Sequence, residues 1–258
     1  MNIRILGSCS GTEPMPERRH TSFTLEREGA LYWFDAGEGC SRTAHLAGLD
    51  LLSARAIFVS HTHMDHIGGL PNLLWTLRKL DSRQGRLAGK TVRLYLPDRR
   101  AWPAISAFLS LSGGGRFQCS FNLDVRDIAD GVIYDEDGLR VTALHTSHMG
   151  HDAQYGWRAF GFSVEADGKK LVYTGDTGGY DDYAPLLENC DLLLHETGHH
   201  DPLAAARHLA ESGRAPKRLG FIHHGRTILA DPEGVQARLN TVDGISARIL
   251  NDGETVEL

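Results

Sequence analysis

The sequence predicts an α/β fold in which two packed β-sheets carry helices on their outer faces. Strand-like and helix-like segments alternate through both halves of the chain, and several short apolar strands end in histidine or aspartate. Hydrophobic residues make up 41% of the 258 residues, which is enough for a sizeable core. Because no long linker, low-complexity segment or repeat interrupts the alternation, we expect residues 1–258 to form a single domain.

The first half predicts a strand-rich sheet with two helices. The strands cover residues 2–7, 21–27, 30–37 and 54–60, and the loop "GTEPMPERRH" follows the first of them. The helices cover residues 40–48, which end on glycine, and residues 70–80. The second helix has apolar residues at helical spacing on one side, namely Leu70, Leu73, Leu74, Leu77 and Leu80.

The second half repeats the alternation. Strands are predicted at residues 139–148, 190–197 and 218–225, and a hairpin covers residues 159–177 with its turn at Asp167-Gly168. Helices are predicted at residues 202–213, which start with proline and stop at glycine, and at residues 231–240. Metal-ligand types of side chain therefore fall at the ends of strands, where α/β proteins usually build their sites.

Charge gives little support for binding a long polyanion. The formal net charge is −6, which argues against a surface dedicated to such partners. One stretch is locally basic, and we interpret it as a solvated helix-and-loop face, with a phosphate-attracting rim as the alternative. Its basic residues are Arg78, Lys79, Arg83, Arg86, Lys90, Arg93, Arg99 and Arg100.

Compartment is inferred from apolar segments and cysteines. No apolar stretch approaches the roughly 18 residues that cross a bilayer, and the N-terminal "MNIRILGSCSG" lacks the apolar segment of a signal peptide. The scattered cysteines, Cys9, Cys40, Cys119 and Cys190, form no CxxC pair and are typical of reduced thiols. We therefore expect a cytoplasmic protein without a membrane partner.

The stretch "SHTHMDHIGG" predicts a metal site. His61 and His63 are two residues apart, so in an extended segment they point the same way, while Asp65 and His66 follow where the chain must turn. One loop thus presents ligands in two directions. Imidazole and carboxylate groups suit zinc, with manganese or iron as alternatives.

Other strand ends are expected to complete two metal sites. His148, Asp176 and His223 each close an apolar strand, as the histidine cluster does. His145, His151 and His224 compete for the same roles. We prefer His148 because it lies at the end of its strand, and His223 over His224 by a narrower margin.

Several stretches resemble the metallo-β-lactamase superfamily and, within it, the ribonuclease Z branch. They occur in the family's order over nearly the whole chain: "ILGSCSGTEP", "FDAGEG", "SHTHMDHIGG", "VTALHTSH", "LVYTGDT", "LLLHET" and "GFIHHGR". The resemblance implies an αββα sandwich of two mixed sheets flanked by helices, with two divalent metals between the sheets. It assigns His61, His63 and His148 to one metal, Asp65, His66 and His223 to the other, and Asp176 to both.

The resemblance also implies a hydrolase. Two adjacent metals would hold a bridging hydroxide as the nucleophile, and Asp65 would orient it. Asp35, at the end of "WFDAG", is a candidate partner for a ligating histidine. Ribonuclease Z relatives pair a glutamate with a histidine general acid; Glu196 matches the glutamate, and His199 or His200 is the candidate histidine. The family's long insert between these two residues is absent here.

A second difference from the ribonuclease Z pattern bears on the substrate. Ribonuclease Z enzymes carry a long Gly/Pro-rich arm that grips tRNA, and the corresponding place here is the tight hairpin "SVEADGKKLVYTGD". With a net charge of −6 and no arm, the chain favours a small or cyclic phosphodiester over folded RNA. The alternatives are an armless tRNA 3′-processing endonuclease, a lactone or thioester hydrolase, and a metal-dependent sensor without turnover. The family also allows a homodimer.

Overall fold

The computed structural model describes residues 1–11, 13, 15–112 and 114–258, so residues 12 and 14 of the loop "GTEPMPERRH" lie outside the described residues. The strands are β1 (Asn2–Gly7), β2 (Ser22–Arg27), β3 (Ala30–Phe34), β4 (Ala54–Phe58), β5 (Thr91–Leu96), β6 (Asn122–Asp127), β7 (Gly131–Glu136), β8 (Leu139–His145), β9 (His151–Asp152), β10 (Gly156–Trp157), β11 (Phe160–Ala166), β12 (Lys169–Tyr173), β13 (Leu192–Thr197), β14 (Arg218–His224), β15 (Ala247–Ile249) and β16 (Thr255–Glu257). The helices are α1 (Cys40–Leu46), α2 (Met64–Ile67), α3 (Leu70–Gln84), α4 (Ala101–Ser112), α5 (Pro202–Glu211), α6 (Arg226–Ala230) and α7 (Pro232–Leu239).

Two seven-stranded mixed sheets form the body of the fold, which confirms the predicted α/β sandwich. The first has the order β16-β1-β2-β3-β4-β5-β6, and the second has the order β15-β14-β13-β12-β11-β8-β7. Strands β3 to β6 run parallel in the first sheet, and β12 to β15 run parallel in the second. Parallel neighbours need long crossovers. Five of the six contain helices, namely α1, α3, α4, α5 and the pair α6–α7, and the crossover from β12 to β13 contains two 3₁₀ turns.

Strand β3 shows why the chain forms layers. Tyr32 and Phe34 face the core between the sheets, whereas Leu31 and Trp33 face the helices outside the first sheet. Alternate residues of a strand point to opposite faces, so a strand that is apolar throughout is buried on both. Phe34 stacks on Phe23 at 4.9 Å in the inter-sheet core, and each such side chain contributes about 2–3 kcal/mol when it is fully buried.

The segments between residues 91 and 136 were not predicted. Strands β5, β6 and β7 and helix α4 lie there, so the basic stretch contains strand β5 in addition to the expected helix and loop. Val92, Leu94 and Leu96 alternate with polar residues in β5, a period-2 signal that the arginine between them obscured.

Acidic partners neutralise four of the eight basic residues in the basic stretch. The ion pairs join Arg86 to Asp50, Arg93 to Glu136, Arg99 to Asp127 and Arg100 to Asp98. Exposed pairs of this kind add little stability, but they remove charge that a phosphate backbone would need. The stretch therefore behaves as a solvated face. None of the helices in the described ranges has the length and apolar character of a membrane span.

Candidate metal centre

The histidine loop leaves the first sheet directly after β4. His61 and His63 lie in extended chain beyond the strand, and the short helix α2 then turns Asp65 and His66 toward the same space. His61 and His66 are fully buried, and Asp65 is only 9% exposed. The loop thus presents its ligand-type atoms in two directions, as the spacing predicts.

The structure brings all seven predicted ligand residues together in two groups. His61, His63, His148 and Asp176 form the first group, and the second contains Asp65, His66 and His223; within each group the ligand-type atoms lie within 4.8 Å of one another. They come from four segments that meet at the strand ends of both sheets, which is why sequence spacing alone does not show their proximity.

Asp176 lies between the two groups. Its Oδ2 is 3.6 Å from Nε2 of both His61 and His148, while its Oδ1 is 3.2 Å from Nε2 of His66 and 3.3 Å from Nε2 of His223. One oxygen therefore faces each group. A carboxylate in this position has the geometry to serve both.

The donor atoms fit divalent ions. Around a tetrahedral ion with bonds of about 2.0–2.1 Å, ligand atoms are separated by roughly 3.3 Å, and the second group has separations of 3.1 Å for His223 Nε2 to Asp65 Oδ2 and 3.5 Å for His66 Nε2 to Asp65 Oδ2. Nε2 of His61, Nε2 of His66 and Oδ1 of Asp176 are buried without a hydrogen-bond partner among the described residues. Such atoms are costly unless something pairs with them, and divalent metals account for all three.

A bulge in β14 explains why His223 and His224 point in different directions. Thr197 of β13 pairs with His224 instead of His223, and His223 has a left-handed backbone with φ of 52°. This conformation costs a residue other than glycine roughly 1–3 kcal/mol. It aims His223 at Asp65 and Asp176, whereas Nε2 of the buried His224 lies 2.7 Å from the Leu250 carbonyl oxygen.

Asp35 holds His66 through a buried network. Its side chain accepts hydrogen bonds from the Ser60 N–H at 2.6 Å, the Ser60 hydroxyl at 2.8 Å and the Tyr173 hydroxyl at 2.6 Å, and its Oδ2 lies 2.8 Å from Nδ1 of His66. Nδ1 of His66 is thereby the donor, and Nε2 is left free to ligate. The sequence named Asp35 as a candidate partner, but Ser60 and Tyr173 carry no sequence signal of this role.

Glu196 and His199 lie at the open side of the centre. Oε2 of Glu196 accepts the His199 backbone N–H at 2.9 Å, and Oε1 lies 3.2 Å from Nδ1 of the His199 ring. Nδ1 of His199 is also 3.7 Å from Asp176 Oδ2, while the side chain is 45% exposed. Nε2 of His200 donates to the Thr177 carbonyl oxygen at 2.9 Å and lies 3.4 Å from Oε1 of Glu196.

Neighbouring charges shift the pKa values of side chains in the metal centre. Burial lowers the pKa of His223, but Asp176 and Asp65 outweigh burial and raise it to about 9. Asp176 and Asp35 likewise hold the pKa of His66 well above its usual value against burial. The carboxyl pKa of Asp176 lies well below its usual range, because His223 and His66 outweigh the effect of burial.

The remaining histidines lie outside the two groups. His145 stacks on Trp157 at 4.1 Å and His151 contacts the edge of the same ring, so both competitors of His148 are engaged in a small aromatic cluster. His208 of α5 packs against Tyr180. His20 lies 3.9 Å from Glu38, and His45 is exposed on α1.

Comparison with known proteins identifies the family. A family profile described as "Beta-lactamase superfamily domain" matches residues 32–230, which is most of the chain. The chain belongs to the β-lactamase superfamily. Its two mixed sheets flanked by helices are the metallo-β-lactamase form of that fold, and its histidine–aspartate groups are the corresponding metal-binding cluster. The chain is accordingly a metal-dependent hydrolase that uses divalent metal.

Named relatives are ribonucleases. The chain is 26% identical to Ribonuclease Z of Natronomonas pharaonis, over all of this chain and 98% of that protein. It is 46% identical to Ribonuclease Z of Treponema denticola over 64% of this chain and 53% of that protein. The crystal structure of the short form of human tRNase Z superposes with a TM-score of 0.74 at 22% identity, over 100% of this chain and 99% of that chain. At that identity the superposition shows a shared fold.

Proposed function

We propose that this member of the superfamily is a phosphodiesterase of the ribonuclease Z type, which cleaves RNA near a 3′ end. The observation that carries the proposal is the similarity to ribonuclease Z proteins along the whole chain. It favours the RNA alternative over the small or cyclic phosphodiester that the sequence alone favours.

The proposed metal ligands are those that converge geometrically. His61, His63 and His148 would hold one divalent ion, Asp65, His66 and His223 would hold the other, and Asp176 would contact both. Zinc suits this donor set best, since nitrogen donors predominate and the atoms are spaced for tetrahedral coordination. Two such ions supply an activated water and charge neutralisation at a phosphodiester.

His199 is the proposed proton donor, positioned by Glu196. With Nδ1–H donated to Glu196 Oε1, the proton on Nε2 is available to the departing oxygen when the phosphorus–oxygen bond breaks. A hydrogen bond to Glu196 raises the pKa of His199, which favours the protonated ring that a proton donor needs. Asp65 would orient the attacking water while ligating. His200 is occupied by the Thr177 carbonyl oxygen, which makes it the weaker candidate.

One specific observation favours a second candidate function. The alignment with the Natronomonas protein runs over 313 positions, 55 more than this chain has. A chain that lacks so much of a ribonuclease Z, carries a charge of −6 and pairs four of the eight basic residues of that stretch with acids has less means of holding folded RNA. Hydrolysis of a small or cyclic phosphodiester is therefore the second candidate.

Three further proposals concern the whole protein. Residues 1–258 form one domain, supported by the pairing of β16 with β1 and by a continuous core between the sheets. The protein acts in the cytoplasm, supported by reduced thiols at Cys40, Cys119 and Cys190. A homodimer is compatible with the exposed apolar residues Phe108 and Leu111 of α4.

A substrate comparison tests the proposed function. Zinc- and manganese-loaded protein is incubated with a precursor tRNA carrying a 3′ trailer, with a 2′,3′-cyclic nucleotide and with bis(p-nitrophenyl) phosphate, alongside Asp65→Ala. We expect metal-dependent cleavage of the precursor at one position, falling steeply as salt rises, and no activity in Asp65→Ala. Turnover of only the small phosphodiesters would establish the second candidate. Turnover of only a lactone or thioester panel would overturn both.

A further inference from the structure

Asp182 joins two loops that carry predicted metal ligands. It lies in a short 3₁₀ turn, Tyr180–Asp182, six residues beyond Asp176. Its Oδ2 accepts the Ser147 N–H at 2.9 Å and the Ser147 hydroxyl at 3.0 Å from one loop. From the other loop the same oxygen accepts the Thr177 hydroxyl at 2.9 Å and the Gly178 N–H at 2.8 Å. No other carboxylate in the described ranges receives donors from both of these loops.

Both loops are adjacent to the metal centre. Ser147 immediately precedes His148, and Thr177 immediately follows Asp176. A further bond runs between the loops, from the Thr146 hydroxyl to the Asp176 carbonyl oxygen at 2.7 Å, and it is fully buried. The positions of His148 and Asp176 relative to each other are thus set by backbone and hydroxyl contacts that meet largely at Asp182.

The contact with Ser147 distinguishes Asp182 from an ordinary turn residue. Bonds to Thr177 and Gly178 span only five and four residues, as in many local turns. Ser147 is 35 residues away in the chain and follows a different strand, so only tertiary structure brings it to this carboxylate. The approach is close: a Cβ at Gly178 would lie 2.1 Å from the Ser147 hydroxyl oxygen.

Asp182 is ionised and its bonds are therefore charge-assisted. Burial raises the pKa of this carboxyl, but the donors from Ser147, Gly178 and Thr177 outweigh burial and lower it below the usual value. Hydrogen bonds to a charged acceptor are roughly twice as strong as neutral ones. A neutral residue in place of Asp182 would weaken each of these hydrogen bonds.

The hydrogen-bonded residues around Asp182 also contact the loop that carries the proposed proton donor. The carbonyl oxygen of Thr177, whose hydroxyl bonds to Asp182, accepts the His200 ring N–H at 2.9 Å. His200 is adjacent to His199, so the loop bearing His199 is attached to the same point. Three loops with different functional side chains therefore meet at Thr177 and Asp182.

We propose that Asp182 is a positioning residue of the metal centre, which sets the separation of His148 and Asp176 before metal binds. The inference rests on the proposed metal ligands and extends them to a residue that does not itself ligate. Outer partners of this kind typically change metal affinity or activity by about 10- to 100-fold. Most of the effect falls on the first metal group, because His148 belongs to it.

Zinc affinity and amide exchange test the proposal without a substrate. Asp182→Ala, Asp182→Asn and the matched control Asp181→Asn, an exposed neighbour in the same turn, are compared with the wild type. Zinc affinity is measured by competition with a chromophoric chelator. Amide hydrogen exchange of the metal-free chain is measured over residues 146–150 and 176–182. Asp81→Asn controls for stability, since Asp81 is buried and binds the Leu87 N–H far from these loops.

We expect Asp182→Ala to weaken binding of one of two zinc ions by at least tenfold and to speed exchange in both segments together. Asp182→Asn, which retains an acceptor oxygen, should recover part of the affinity, and Asp181→Asn should match the wild type. Asp81→Asn should lower the melting temperature with unchanged zinc affinity. If Asp182→Ala does not fold, Asp182→Asn and Ser147→Ala decide the question through the same readouts.

Two results would overturn the proposal, and they are distinguishable. Wild-type affinity and wild-type exchange in the Asp182 variants, while the wild type binds two zinc ions, would remove the role of Asp182 and leave the proposed function intact. A wild type that binds no zinc would overturn the metal centre itself, and the positioning role with it.

Discussion

At the scale of single residues, Asp176 is the side chain on which the centre depends. It is 2% exposed, and its two oxygens face different groups of histidines. Four imidazole Nε2 atoms lie within 3.6 Å of it. Removing its charge therefore affects both groups at once, which no other predicted ligand does.

Asp176→Asn is expected to abolish stable binding of at least one metal. The amide keeps the shape of the side chain but replaces one anionic oxygen by a donor that opposes a cation. Zinc per chain should fall from two to one or none, and activity should fall by more than the roughly 10- to 100-fold typical of an outer partner. Elemental analysis after gel filtration measures this, with Asp130→Asn as the control, because Asp130 pairs with His145 outside the two metal groups. Two tightly bound zinc ions in Asp176→Asn would contradict the assignment.

Glu196→Gln is expected to shift the pH profile of activity. A hydrogen bond to Glu196 raises the pKa of His199. The His199 ring therefore loses the proton that it donates only as pH rises through that raised pKa. Without the carboxylate charge the pKa of His199 falls, and the alkaline limb of kcat should move to lower pH. The comparison is with Glu188→Gln, an exposed glutamate at the other end of the second sheet. An unmoved alkaline limb would argue that another group donates the proton.

At the scale of elements, the bulge in β14 and the loop after β13 act together. Gly198 packs against His223 so closely that a Cβ there would lie 2.5 Å from Cε1 and 2.6 Å from Nδ1 of the ring. The bulge turns His223 outward from its strand, and Gly198 leaves the space into which it turns. The second metal group thus depends on two elements that are parallel neighbours in the sheet.

Gly198→Ala is therefore expected to displace His223 and weaken one metal site. Gly179→Ala is the matched control, because its backbone is extended with φ of 168° and a Cβ there meets no atom within 4 Å. Zinc titration by calorimetry should show one site weakened by about tenfold or more in Gly198→Ala and two normal sites in Gly179→Ala. Equal zinc affinities in Gly198→Ala and Gly179→Ala would show that His223 still ligates when a Cβ is added at residue 198.

Elements with strong local patterns could be predicted from the sequence, and elements without them could not. Strand β3 is continuously apolar, β13 begins with three leucines, and α3 shows its leucines at helical spacing, although it extends to Gln84. Strand β6, on the edge of its sheet, is mostly half-exposed and reads as polar loop. Helix α4 is apolar but buries only Leu109, so its pattern points to no single face.

The same distinction holds within the site. The cluster His61, His63, Asp65 and His66 is local in sequence and was predicted from spacing. Asp182 and Tyr173 act through contacts between distant segments, and Tyr173 lies 138 residues from the carboxylate it binds. The choice between His223 and His224 depended on a bulge whose backbone conformation no residue type specifies.

At the scale of the whole molecule, the centre links stability to pH and metal. Nearby carboxylates raise the pKa of His223 to about 9 and that of His66 well above its usual value. A histidine with a raised folded-state pKa adds stability that is fully present below its unfolded pKa of about 6.5. That stability is lost as pH rises through the folded-state value.

Metal-free protein should therefore become less stable between pH 6.5 and pH 9, whereas zinc-loaded protein should not. Zinc binds neutral imidazole, so its contribution grows as these protons leave. Urea unfolding in chelator and in zinc at both pH values measures the difference, with His223→Ala expected to reduce the slope in chelator. His208→Ala, on the outside of α5, should keep it. Greater stability of the metal-free chain at pH 9 would contradict these charge assignments.

The most direct test of the two-metal centre is the position and number of bound metals. Crystals of zinc-loaded protein, measured on both sides of the zinc absorption edge, should show two anomalous peaks per chain. One should be surrounded by His61, His63 and His148, the other by Asp65, His66 and His223, with Asp176 between them. A single peak, or peaks that involve His145, His151 or His224, would contradict a centre built from these seven residues.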